Sequence, residues 1–278
     1  MPDKTTDPRP IFVAMFDAVR HYLLNEGQAD TACAPVATNP KGEATHGFDR
    51  MAERIALDVA HDGLGAFRAF SEEAGEIIFG ADPRWTLVLD PCDGSNNFKR
   101  GIRSVGFAVA ALPAGAPLDP DLVEYAVCGD VFTGAVYSAA RGQGATLDGH
   151  PCRASRQTEL RHAVLGVNIG RERQLHTDLP HADVEDLAGD EARSLGRISQ
   201  LLSRASTIRR TGASVLDLCY VAQGAYDAYV DLRDRLTPEN FLAPALIIHE
   251  AGGRLADSCG QPLGPVAFTQ PYSVLAAG

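Results

Sequence analysis

A layered α/β (α+β) fold is predicted by three features of the 278-residue sequence. Segments of helical and strand periodicity alternate loosely along its length. Apolar residues make up 45% of the chain, enough for a sizeable core at this length. Neither an internal repeat nor a low-complexity tract interrupts the pattern, which argues against a solenoid or a disordered chain.

The first helix is predicted from Ile11 to about Asn25, where Phe12, Met15, Phe16, Val19 and Leu23 recur at helical spacing. A polar stretch with Pro and Gly follows, CAPVATNPKGEATHG. The run FDRMAERIALDVAHDG then sets Phe48, Met51, Ile55 and Val59 on one stripe, with Gly63 as a stop signal, and predicts a second helix. Short strands are expected at Ala66–Phe70, Thr86–Leu89, Val105–Leu112, Tyr125–Asp130 and Gly134–Ser138. The turn-rich segment PAGAPLDPD between two of them predicts a hairpin or meander. An apolar run at Ala163–Ile169 begins the second half. The polar stretch GRERQLHTDLPHADVEDLAGDEARSLG after it reads as a loop and the start of a helix. Beyond it, Val215–Ala222 and Phe241–Glu250 read as helices, and Ala228–Leu232 and YSVLAA as strands.

Charge narrows the function classes. The net charge of -11 supplies no basic tract, which disfavours nucleic-acid polymers and anionic lipid surfaces. A small phosphate ester stays accessible to an acidic protein if a metal ion reverses the local charge. The six cysteines are scattered without a C-x-x-C, so free thiols in a cytoplasmic protein are expected. The eight histidines show no metal-ligand spacing. No signal peptide and no long apolar span is recognised.

The run TLVLDPCDGSNNF carries the chemistry. A strand ending in Asp90 brings a carboxylate to the sheet's edge, and Pro91 and Gly94 are expected to turn the chain so that Asp93 points back at it. Two carboxylates this close repel unless a proton or cation lies between them. Hard oxygen donors point to Mg²⁺, or to Mn²⁺. After Gly94, SNNFKRG opens a short helix with Ser95 in its first turn, where free N–H groups accept a phosphate. Upstream, SEEAG puts Glu72 and Glu73 at the end of a strand; adjacent strand residues face opposite ways, so only one is expected to join the pair.

SEEAG followed by LDPCDGSNNF resembles the paired metal motifs of the inositol monophosphatase family, whose superfamily includes fructose-1,6-bisphosphatases and bisphosphate nucleotidases. GDVFTGAVYSAARGQGATLDGHP, RRTGASVLDLCYVAQGAYDAYVDL and ALIIHEAGG resemble later family segments. KGEATHGFDRMAE is most similar to archaeal-type members. The matches run in order from about residue 10 to the end. The resemblance implies an alternating α–β–α–β–α sandwich, one phosphatase domain over 1–278. Its N-terminal half (about 1–155) would carry the metal motifs and its C-terminal half (about 156–278) the substrate side. It also implies a homodimer acting on a small polyol, inositol or sugar phosphate. By position, Glu72, Asp90 and Asp93 match metal ligands, and Cys92 matches the residue that ligates through its backbone carbonyl. Gly94 and Ser95 match the phosphate turn. Asp49 and the Ser95 hydroxyl match the pair that orients the attacking water, and Ser214 and Asp231 match the substrate side.

One position departs from the pattern. Ten residues before Glu250, where the family carries a ligand aspartate, stands Asn240, preceded by Glu239. Three readings follow: Asn240 is tolerated at the cost of weaker metal binding, Glu239 takes over the ligand position, or catalysis is lost and phosphate binding kept. A bisphosphate nucleotidase is the alternative within the enzyme reading. An interaction protein built on the long polar stretch is disfavoured, because that stretch lacks an apolar anchor set.

Overall fold

The structure, a computed structural model, describes residues 7–29, 32–42, 44–169, 196, 198–199 and 201–278. Most of the long polar stretch lies outside the described residues. Two helices, α1 (Arg9–Asn25) and α2 (Gly47–Leu64), flank an antiparallel pair, β1 (Pro35–Thr38) and β2 (Ala44–His46). The main sheet holds β3 (Phe67–Ser71), β4 (Gly75–Phe79), β5 (Trp85–Asp93), β6 (Gly106–Pro113), β7 (Tyr125–Asp130), β8 (Val136–Ala140), β9 (Ala145–Leu147) and β10 (His150–Pro151). Its order is β10-β9-β8-β7-β6-β5-β3-β4, antiparallel except where β3 runs parallel to β5. The short helix α3 (Ser95–Lys99) follows β5. A second sheet contains β11 (Val164–Asn168), β12 (Thr207–Arg209), β13 (Ala228–Leu236), β14 (Arg254–Ala256) and β15 (Tyr272–Ala277), in the order β12-β11-β13-β15-β14. Between the sheets lie α4 (Ser214–Ala222) and α5 (Pro238–Glu250).

Strand alternation builds the layers. On β5 and β6, Leu87, Leu89, Phe107 and Val109 face α1 and α2, whereas Val88, Ala108 and Ala110 face α4 and α5. Both faces of these strands are buried, so they read as continuous apolar runs. The second sheet turns Tyr229 and Val274 toward α4 and α5 and Leu165, Val167 and Val230 the other way. There Ile198 and the helical residues 201–204 cover it, completing the α–β–α–β–α sandwich.

Three expectations are corrected. On α2 the buried stripe is Phe48, Asp49, Ala52, Glu53, Ala56, Leu57 and Ala60. Met51 is exposed, and Ile55 and Val59 lie on the shoulder, because the small alanines let the helix pack closely on that face. Next, β5 does not end at Leu89. It runs on through Asp93 with a register shift between Asp90 and Asp93, so the motif is a bulge rather than a chain reversal. Finally, β1, β2, β4, β9, β10, β12 and β14 escaped the periodicity reading.

The first layer packs closely enough to fix one glycine. A Cβ on Gly129 of β7 would meet Cε2 of Phe16 at 2.3 Å. Gly129→Ala is therefore expected to cost about 1–3 kcal/mol through overpacking. The loss would be read as a lowered Tm that Phe16→Leu in the same chain partly restores.

Candidate active site

Pro91 has no N–H to offer the ladder, and the bulge forms around it. Asp90 stabilises the bulge by accepting the Cys92 N–H at 3.0 Å. Gly94 follows at φ 103°, a conformation that favours glycine, and a Cβ there would lie 3.1 Å from the Ser104 carbonyl. The chain then enters α3 at Ser95. Asn97 on α3 donates to the Ser104 and Thr211 carbonyls, both at 2.8 Å, and so ties this turn to the loop before α4.

The start of α2 meets the same turn. Asp49 is the third residue of that helix, and its carboxylate accepts the His46 N–H in a capping box. Its other oxygen accepts the Ser95 hydroxyl at 2.7 Å, and that hydroxyl also lies 3.2 Å from the Cys92 carbonyl. Asp49, Ser95 and the Cys92 carbonyl thus converge beside Asp90. The Cys92 thiol is pushed up by burial and stays a packing group.

Glu72 and Glu73 lie just past the end of β3, in the turn to β4, so strand alternation does not separate them. Glu53 on α2 anchors this turn by accepting the Ser71 hydroxyl and the N–H groups of Glu73 (3.0 Å) and Ala74 (3.3 Å). Glu73 accepts the Thr45 hydroxyl. Burial first, and then the charges of Asp49, Glu53 and Asp90, push the Glu73 carboxyl up to about 7. Asp90 is likewise pushed up to about 7, by burial first and with Asp49 adding to it. The Cys92 N–H, the Lys41 charge and the Asn240 amide oppose the shift.

On the far side of Asp90 stands α5. Asn240 is its third residue and closes a second capping box, its oxygen accepting the Thr237 N–H at 3.1 Å. The amide nitrogen donates to Asp90 at 3.0 Å. Asn240, rather than Glu239, therefore faces Asp90. Glu239 turns instead to the Lys41 ammonium and to the Thr237 hydroxyl, at 2.5 Å.

Asp93 links the turn to α4. Its carboxylate accepts the Val215 N–H at 2.7 Å, capping a helix whose own preceding residue, Ala213, offers no side-chain cap. Beside Val215, buried Ser214 lies 3.3 Å from the Tyr229 hydroxyl, which is 3.5 Å from Asp231. Asp231 is fully buried, and Arg233 closes both its oxygens at 2.9 and 2.6 Å.

The structure brings Asp49, Asp90, Cys92, Asp93, Gly94, Ser95 and Asn240 into one web, with Glu72 and Glu73 at its edge. Sequence reasoning missed Lys41, Thr45, Glu53 and Thr237, and it weighed Glu73 only as the alternative to Glu72. A signal existed for Thr237, since Thr-Pro-Glu-Asn is a helix-start pattern; a lysine in an Asn-Pro-Lys-Gly turn offers none.

The donors fit a hard cation on the Asp93 side. Asp90, Asp93, the Cys92 carbonyl and the Ser95 hydroxyl supply only oxygen, and the buried Asp90 carboxylate lacks a full counter-charge. Among the described residues no three His, Cys, Asp or Glu side chains enclose an ion by themselves, so water would complete such a shell. The Asn240 side does not fit a second cation as it stands, because an N–H donor is aimed at Asp90.

A model of the inositol monophosphatase family matches residues 20–278. The chain is 31% identical over 244 residues to a fructose-1,6-bisphosphatase/inositol-1-monophosphatase of Methanothermobacter thermautotrophicus, covering 85% of this chain and 80% of that protein. It is 34% identical over 220 residues to a Nus factor SuhB of Pseudomonas aeruginosa, covering 76% of this chain and 71% of the relative. Among solved folds, the extragenic suppressor protein suhB of Bartonella henselae superposes with a TM-score of 0.79 at 23% identity, covering 97% of this chain and 93% of the other.

Proposed function

The chain belongs to the inositol monophosphatase family, and from that premise we propose that it is a divalent-metal-dependent phosphomonoesterase acting on a small polyol, inositol or sugar phosphate. The observation that carries the reading is the Ser95 hydroxyl held between Asp49 and the Cys92 carbonyl beside the buried Asp90. Phosphate monoesters hydrolyse extremely slowly unaided, because the anion repels a weak nucleophile. In this reading Glu72, Asp90, Asp93 and the Cys92 carbonyl would hold Mg²⁺ or Mn²⁺. A bound cation offsets the ester's charge and makes a water more acidic.

The remaining work falls to the chain's own groups. The Ser95 hydroxyl donates a hydrogen bond to Asp49, which leaves its own lone pairs to accept a hydrogen bond from water and aim it at phosphorus. The turn at Gly94 and Ser95 would receive the phosphate on its backbone N–H groups, and its shape is fixed by Gly94, whose positive φ and 3.1 Å approach to the Ser104 carbonyl exclude a side chain. Ser214 and Asp231, linked through Tyr229, would position the leaving alcohol, with Arg233 governing access to Asp231. Direct attack by water needs no nucleophilic side chain. A homodimer and a cytoplasmic location belong to the same proposal. They are supported by the family resemblance and by the scattered thiols, and no helix among the described residues is long and apolar enough to cross a membrane.

The test is phosphate release from a panel of sugar, inositol and nucleotide phosphates with Mg²⁺ and Mn²⁺ titrated, natural protein beside Asn240→Asp. Turnover by the natural protein that saturates with metal is the expected result. The Asn240 amide favours a second reading, a phosphate-binding homologue that has given up turnover. Silence from the natural protein, with release restored by Asn240→Asp, would establish that reading instead.

A further inference from the structure

Resting on the phosphatase reading, we propose that Lys41 stands in for a second divalent cation: its ammonium binds the ester phosphate, and the site loads a single metal ion. Three observations carry this.

First, Asn240 is not available as a ligand. Its oxygen is used by the Thr237 N–H and its nitrogen by Asp90, so turning the amide to offer oxygen would break the helix cap and place two acceptors face to face.

Second, a cation already lies on that side of Asp90. The Lys41 ammonium donates to the Thr237 hydroxyl at 2.9 Å and pairs with Glu239. The same hydroxyl lies 3.4 Å from the Asn240 oxygen, so a short polar chain joins the ammonium to Asp90. The lysine side chain is 10% exposed and that of Glu239 0%. Removing two charges from water is costly, and the second Glu239 oxygen lacks any hydrogen bond; a pair serving stability alone would be poorly designed. A lysine is a common phosphate binder as a point charge.

Third, the chain is shaped to hold Lys41 there. Asn39 is buried, its side chain accepts the Lys41 N–H at 3.0 Å, and its carbonyl accepts the Gly42 N–H at 2.9 Å, with Gly42 at φ 86°. Pro40 packs against Gly75, where a Cβ would come within 3.2 Å of its ring. That contact clamps the lysine turn to the strand that follows Glu72 and Glu73. The Phe268 ring, 5.0 Å from the ammonium, covers it from a third side.

The test is equilibrium dialysis of the full chain with Mn²⁺ and inorganic phosphate, read beside thermal melts. The natural protein is expected to bind one Mn²⁺ per chain. Lys41→Met should weaken phosphate binding about tenfold or more, as loss of a hydrogen bond to a charged group does, with Mn²⁺ still at one. That variant also strands buried Glu239, so Lys41→Met/Glu239→Gln is the control. It should recover the lost Tm and not the phosphate affinity, an outcome that a purely structural lysine would not give. Asn240→Asp/Lys41→Met should bind two Mn²⁺. Two Mn²⁺ in the natural protein, or none, would overturn the proposal, as would unchanged phosphate affinity in both lysine variants. If phosphate and Mn²⁺ bind as expected and no ester is hydrolysed, the phosphatase reading fails while the role of Lys41 in phosphate binding stands.

Discussion

Asp93→Asn is expected to lower kcat/KM by about 10²–10³-fold, the range seen when one preorganised charge is lost from a reacting centre. The Tm should move by less than about 2–4 °C, the equivalent of roughly 1 kcal/mol for a chain of this size. The two readouts separate because Asp93 does two things. Its charge faces the proposed metal position, and its oxygen caps α4 by accepting the Val215 N–H at 2.7 Å. Asparagine keeps an oxygen of the same reach, so the cap survives and only the charge is lost. Asp93→Ala should lose activity to a similar degree and also lose the cap, worth about 1 kcal/mol of stability. Added Mg²⁺ should recover part of the Asn variant's activity, since a weakened ligand raises the metal concentration needed. Steady-state phosphate release and thermal melts on both variants decide it. An Asp93→Asn variant as active as the natural protein would reduce Asp93 to a helix cap and remove it from the metal site.

What the sequence revealed and what it hid follow one physical division. β5 and β6 were legible because strands buried on both faces must be apolar throughout, and α1 because its large residues repeat at helical spacing. The α2 stripe misled because the choice of buried face there was made by alanines, which carry little pattern signal, rather than by Met51 or Ile55. The acidic motif was legible as a carboxylate-rich run at a strand end and not as geometry. Asp-Pro-Cys-Asp-Gly contains every turn residue, yet the ladder to β6 resumes at Asp93, so a bulge and not a turn sets the spacing of the two carboxylates. Strand alternation did not separate Glu72 from Glu73 for a related reason: they lie one and two residues beyond the end of β3, which would have enforced it. Least legible was the pair of Lys41 and Glu239, 198 residues apart. No local propensity encodes a contact that exists only once β2, α2 and α5 have been assembled.

With divalent ions removed by a chelator, the protein is expected to be more stable near pH 5.5 than near pH 8, a trend opposite to that of a protein held by salt-bridged carboxylates. Three buried groups set the sign. Burial is the first cause in each, raising Asp90 and Asp217 from 3.8 to about 7 and Glu73 from 4.5 to about 7. Across that interval the folded chain holds protons that the unfolded chain has released. The stability these groups contribute is fully present below their unfolded values and is lost as pH rises through about 7. Glu250 acts the other way: although burial raises it, the Gly142 and Gly144 N–H groups bring it below its ordinary 4.5, so its contribution is retained across the whole window. Each unit of raised pKa corresponds to about 1.4 kcal/mol. One such unit lost would lower Tm by about 3–6 °C. Saturating Mg²⁺ should restore most of the loss at the higher pH, because a cation favours the ionised Asp90 and Glu73 and competes with their protons. Asp217 is buried on α4 near Thr211 and Tyr226, and Asp217→Asn should flatten the part of the slope that Mg²⁺ leaves. Melts at the two pH values, with chelator and with Mg²⁺, give four numbers. A Tm that rises with pH in chelator would mean that the acidic cluster is already neutralised by the chain's own cations.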